Sequence, residues 1–130
     1  MNCTIKSINY CPVKSLSFQS INSCNIKKEL GMPNDRIFAF SRGIDIEKAK
    51  LIEKNPNQRK LNNFLTLKNS PVLNKYNFIY EKKKLTLVLK DKKLISVCID
   101  SSESLSLIAE KLLQLETSLA KPIFFLKNID

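Results

Sequence analysis

Alternation is the clearest signal along this chain. Tyr76, Phe78 and Tyr80 share one parity, as do Leu85, Leu87 and Leu89, and then Ile95, Val97 and Ile99. Period-two spacing of aliphatic and aromatic residues is the pattern of half-buried strands. The links Glu81–Lys84 and Lys90–Lys93 are charged. Residues 72–99 therefore predict a three-stranded antiparallel meander whose lysines blunt its exposed edges. At Asp100 the spacing changes. Leu105, Ile108, Leu112, Leu115 and Leu119 recur at intervals of three and four, which predicts one amphipathic helix over 101–119. Asp100 with Glu103 makes a capping-box-like start. Pro122 ends the helix. Ile123-Phe124-Phe125-Leu126 is then a short apolar strand that wants burial on both faces, against the helix or paired with another chain.

Upstream of the meander the pattern is shorter. Residues 3–10 and about 20–27 read as strands, and Ile21, Cys24 and Ile26 break parity, which predicts a bulge or a late start. Arg36 to Ser41 is a third strand, with Ile37, Phe38 and Phe40 supplying core. Ile44 to Glu53 supports two or three helical turns, ended before Asn55-Pro56, and Asn57-Gln58-Arg59-Lys60 is a polar loop. Gly31 and Gly43 are the two glycines of the chain and mark turns that need positive φ. The fold class is α+β, mainly β. It is expected to be an antiparallel barrel-like sheet with one C-terminal amphipathic helix and a short helical insertion, a single domain over residues 1–130.

Two segments carry candidate chemistry. Tyr10-Cys11-Pro12-Val13-Lys14-Ser15 closes the first strand, and its proline halts a ladder or confines it to an edge. A lysine and a serine hydroxyl at a strand end suit an anionic oxygen such as a phosphate. Gly31-Met32-Pro33-Asn34-Asp35-Arg36 is a turn that delivers a guanidinium fork to the mouth of the third strand, with an acid beside it.

These two motifs, followed by Phe64-Leu65-Thr66-Leu67-Lys68-Asn69-Ser70-Pro71-Val72-Leu73, resemble the N-terminal β-barrel domain of the MOSC (molybdenum cofactor sulfurase C-terminal) proteins. The resemblance covers about residues 4–99, with three motifs in the family's order. It implies that Lys14, Ser15 and Arg36 contact the phosphate or pterin of a molybdenum cofactor (molybdopterin). Lys68 stands where the family has an arginine and is implied as a further cofactor-binding residue, keeping the charge but losing the fork. Leu16 stands where some relatives carry a cysteine. Relative to the family pattern, residues 42–63 are an insertion. Residues 101–126 would lead into a catalytic MOSC module that this sequence lacks. The resemblance thus implies a stand-alone or truncated binding half for a molybdenum cofactor or a similar phosphorylated ligand, non-catalytic alone, with redox or sulfur-transfer chemistry supplied by a separate MOSC-domain or redox protein.

Composition narrows the alternatives. A formal charge of +10 points to an anionic partner, but the lysines are spread, with clusters only at Lys82-Lys83-Lys84 and Lys90 to Lys93. Non-specific nucleic-acid binding is one alternative, and a protein-interaction module with a degenerate site is another. Because the aromatics belong to strands, no specific nucleic-acid partner is expected. Cys3, Cys11, Cys24 and Cys98 lack C-x-x-C spacing and the chain has no histidine, which argues against zinc. The cysteines are expected to act as small buried hydrophobes. With no signal peptide and no apolar run of about 18 residues, a cytoplasmic location without a transmembrane segment is expected.

Overall fold

A computed structural model describes residues 1–29 and 31–127. In it the chain is α+β, mainly β, and every named strand pairs antiparallel. The strands are β1 (Ile8–Tyr10), β2 (Gln19–Ile21), β3 (Phe38–Phe40), β4 (Tyr76–Glu81), β5 (Lys84–Leu89), β6 (Lys92–Cys98) and β7 (Phe125–Lys127). The helices are α1 (Ile46–Lys54) and α2 (Ser102–Leu115). Among the described residues the expected barrel-like sheet is not closed. The strands form two ribbons, β1-β2 and β3-β7, and one sheet, β4-β5-β6.

One reason is visible at β4, the edge of the three-stranded sheet nearest β2. Its backbone is met there by side chains instead of a strand. Ser17 Oγ accepts the Phe78 N–H at 2.7 Å, and the Gln19 amide both accepts from Tyr80 N at 2.9 Å and donates to Tyr80 O at 3.1 Å. Buried edge groups are thereby satisfied without barrel closure.

The three-stranded meander forms as alternation predicts, but it spans Tyr76–Cys98 and not residues 72–99, because Pro71–Lys75 is wound into a 3-10 turn. Tyr76, Phe78, Leu85, Leu87 and Val97 are buried. The register slips between Leu87 and Val88, leaving Leu94 unpaired in β6. This bulge turns Val88 inward and leaves Leu89 and Ile95 half-buried, which strict alternation did not predict.

Both hairpin turns are two residues long and left-handed: Lys82 and Lys83 (φ 49° and 60°), then Lys90 and Asp91 (φ 47° and 65°). That geometry matches strand twist but favours Asn-Gly. Replacing Lys90-Asp91 by Asn-Gly, which leaves net charge unchanged, should stabilise the chain by about 1 kcal/mol. A denaturant midpoint that stays put or falls would contradict this.

Helix α1 starts where Asp45 Oδ1 accepts the Lys48 N–H at 2.7 Å and ends at Asn55. Its buried Ala49 and Ile52 join Ile44, Phe64 and Leu126 in a small cluster on the outer face of the β3-β7 ribbon. Phe38 and Phe40 point the other way, into the main core, as period two requires.

Helix α2 buries Leu105, Ile108, Ala109 and Leu112 and contacts β6 and β7. Its ends correct the sequence reading. The N-cap is Ser101, whose hydroxyl accepts from Ser104 N at 3.3 Å, while Asp100 lies exposed, 3.9 Å from Lys83. The helix stops at Leu115, short of Leu119, because Glu116 turns back. Its N–H bonds Leu112 O at 2.8 Å and its carboxylate takes the Tyr76 hydroxyl at 2.6 Å. The apolar segment after Pro122 is strand only at Phe125–Lys127, and it pairs with β3 of the same chain. The first three strands are also shorter than expected, the third covering Phe38–Phe40 and not Arg36 to Ser41, and Ile5 and Ile26 remain exposed.

Candidate anion site

The two motifs meet because they pair with one another. Val13 forms a parallel bridge with Phe38. Arg36 N donates to Cys11 O at 2.6 Å, Phe38 N to Pro12 O at 3.0 Å and Lys14 N to Phe38 O at 2.7 Å. Pro12 lacks a donor but lends its carbonyl to this pairing, so the proline costs nothing there. Asp35 ties the junction: one oxygen accepts the Cys11 N–H at 3.0 Å and the other takes Arg36 Nε at 2.9 Å. Arg36 itself sits at φ 52°, a left-handed conformation that costs a non-glycine residue about 1 kcal/mol or more.

A pocket of about 410 Å³ opens on the outer face of the β3-β7 ribbon. Its floor is apolar, with Ala39, Ile52 and Leu126, and Phe64 stands in its wall. Lys14 and Arg36 line it together with Arg59, Lys60 and Lys127, against two carboxylates, Asp35 and Glu53. Lys14 Nζ lies 5.6 Å from the Phe64 ring centre, a cation–π contact that holds the amine near the apolar wall.

Of the residues expected to converge, Lys14 and Arg36 both line this pocket. Ser15 is exposed at the turn beyond Lys14, at φ 61°, and does not line the pocket. Nor does Lys68. It projects from a turn held by Asn69, whose side chain accepts from Thr66 N at 3.0 Å and donates to Phe64 O at 2.9 Å. Arg59, Lys60, Glu53 and Lys127 were missed. Three of them lie in the segment read as an insertion, whose charge density was the available signal.

Glu53 is half-buried, and burial pushes its carboxyl above the ordinary range. The Lys127 backbone and the charges of Lys127, Lys50 and Lys54 act in the opposite direction.

The pocket's cations fit a phosphate. A thiolate ligand for molybdenum is not supplied by the residues lining it. Cys11, the nearest in sequence, gives its thiol to Val13 O at 2.8 Å, and burial pushes its pKa up. The expectation that all four cysteines are buried fails: Cys3 and Cys98 are exposed and Cys24 is half-buried. Among the described residues, no cluster of His, Cys, Asp or Glu could hold a metal and no helix is long and apolar enough to cross a membrane. No family model, curated protein or solved structure matches the chain, so the chemistry of the pocket is what speaks for its role.

Proposed function

We propose that this chain is a binding module for a phosphorylated small molecule, held at the Lys14–Arg36 end of the pocket. The observation that supports this is the parallel pairing of residues 11–14 with 36–38, with Lys14 and Arg36 both among the residues lining the pocket. The strained backbone at Arg36 supports it, because local strain is commonly kept where a side chain has work to do. The motif resemblance makes a molybdenum cofactor the first ligand to try, with redox or sulfur-transfer chemistry supplied by a separate MOSC-domain or redox protein. Lys14 and Arg36 would hold its phosphate. Unpaired cysteines support a reducing, cytoplasmic setting. Nucleic acid is the weaker reading, since Tyr76 and Phe78 are buried and offer no stacking platform.

Ribose 5-phosphate isolates the phosphate contribution. Two charge-assisted partners contribute on the order of 4 kcal/mol, so saturable binding near 1 mM is expected at about 0.15 M salt. Absence of saturation, or binding that vanishes on raising salt from low to physiological strength, would overturn the reading.

A further inference from the structure

The segment that follows β3 carries an arginine with no acid to answer it. Backbone bonds pin Arg42 from both sides. Its own N–H reaches Asn63 O at 2.7 Å, Ser41 N reaches Phe124 O at 2.8 Å and Gly43 N reaches Pro122 O at 3.0 Å. The side chain is half-buried, and its Nε is shut off from water without a hydrogen-bond partner. Among the described residues no carboxylate forms an ion pair with it. A second buried donor without a partner, Asn63 Nδ2, belongs to the residue whose carbonyl takes the Arg42 N–H. Desolvated donors and charges ordinarily have an acceptor or a counter-charge beside them. This corner of the fold holds donors in excess.

Arg42 lines a cavity of about 270 Å³, together with the Asn69–Val72 stretch and the turn after α2. Among the described residues lining it, Arg42 is the only charged one. The Asn69 amide is engaged with Thr66 N and Phe64 O, and the Ser70 hydroxyl donates to Asn69 Oδ1 at 3.0 Å. That leaves the guanidinium as the cavity's principal donor, joined by the exposed Ser118 hydroxyl. Pro71, Val72 and Leu119 supply the apolar part of the wall. One cation alone suits a monoanion, because a dianion would bring in a charge without a partner. The volume is at the small end for ligand cavities, so the body of the ligand must be short.

We infer that this cavity binds a short branched-chain monocarboxylate. Its carboxylate meets the Arg42 guanidinium, whose planar fork matches two carboxylate oxygens, and its alkyl body lies against Pro71, Val72 and Leu119. The site shares no lining residue with the Lys14–Arg36 pocket, so it stands or falls independently of that pocket's ligand.

The test titrates the full chain with isovalerate and follows backbone amide shifts. Saturable binding on the order of 1 mM is expected at about 0.15 M salt, with shifts at Arg42, Val72 and Leu119. Isovaleramide, the neutral analogue of the same shape, and acetate, which lacks the alkyl body, should each bind about tenfold or more weaker. The comparison on the native chain needs no variant to fold. Arg42→Met should bring isovalerate down to the level of the amide and leave the melting temperature unchanged or raised, since an uncompensated cation has gone. Lys14→Ala with Arg36→Gly should leave isovalerate binding as it was. Equal binding of acid and amide, inorganic phosphate bound more tightly than isovalerate at Arg42, or isovalerate shifts at Lys14 and Arg36 instead would each overturn the inference. So would an Arg42→Met chain that loses stability and keeps isovalerate.

Discussion

Glu116→Ala is expected to destabilise the chain by about 2–3 kcal/mol and to lower its melting temperature by roughly 10 °C. Glu116 and Tyr76 are both buried, at 7% and 2% exposure. The Tyr76 hydroxyl donates to Glu116 at 2.6 Å and Lys75 pairs with the same oxygen. Removing the carboxylate leaves a buried hydroxyl without its acceptor, which costs the desolvation of that group. The half-exposed Lys75 contributes little. Glu116→Gln keeps an acceptor and should lose about 1 kcal/mol.

The pH dependence follows from the same contacts. Burial pushes the Glu116 carboxyl up, but hydrogen bonds from Lys75 and Tyr76, with the Lys75 charge, outweigh it and hold the carboxyl below the ordinary glutamate range. A depressed acid contributes stability that is present above its unfolded pKa and is lost as pH falls through the folded one. Acid unfolding of the native chain should therefore steepen below the ordinary glutamate range, and Glu116→Gln should flatten that limb. Burial, with the bond to Glu116 and its charge, raises the Tyr76 phenol well above its usual value, so it stays a donor throughout. Equal acid profiles for the native chain and Glu116→Gln would contradict this account.

The second large effect concerns Lys14 and Arg36. Lys14→Ala with Arg36→Gly should remove the roughly 4 kcal/mol of the two charge-assisted partners, about a thousandfold, and leave no detectable binding of ribose 5-phosphate. Glycine is chosen because Arg36 occupies φ 52°. Removing the side chain there should relieve strain and raise stability by about 1 kcal/mol even as binding falls. The Asp35 pair opposes this only weakly, as the Arg36 side chain is 66% exposed. Gain of stability with loss of binding is the mark of a residue kept for function. Arg36→Lys should lose part of the affinity, the fork becoming a point charge. Loss of both properties together would mean that Arg36 serves the fold alone.

The meander was legible because alternation and charged turns agree from Tyr76 onward, while the bulge at Leu87/Val88, which breaks the parity of burial at Val88, Leu89 and Ile95, was not. Lys14 and Arg36 were legible through their motifs, but their meeting depends on a parallel pairing between segments that no local pattern announces. Ser15 and Lys68 share the motifs yet point off the pocket, since each sits on a turn whose geometry spends it on solvent. Lys127, Arg59 and Glu53 reach the pocket from three different elements, which is tertiary information. Glu116 was not legible: the apolar stripe reads on through Leu115 and Leu119, and only the tertiary contact with Tyr76 shows that the acid after Leu115 is buried. The barrel was over-read because strands of three residues and side-chain edge contacts resemble pairing in sequence but leave the sheets separate.

The central claim is that the anion binds at this pocket and not to the general run of lysines. Backbone amide shifts followed during a ribose 5-phosphate titration test it directly. The account predicts saturable shifts at Lys14, Arg36, Arg59 to Leu61 and Lys127. Shifts confined to the lysine turns Lys82–Lys84 and Lys90–Lys93, or spread without saturation, would contradict it.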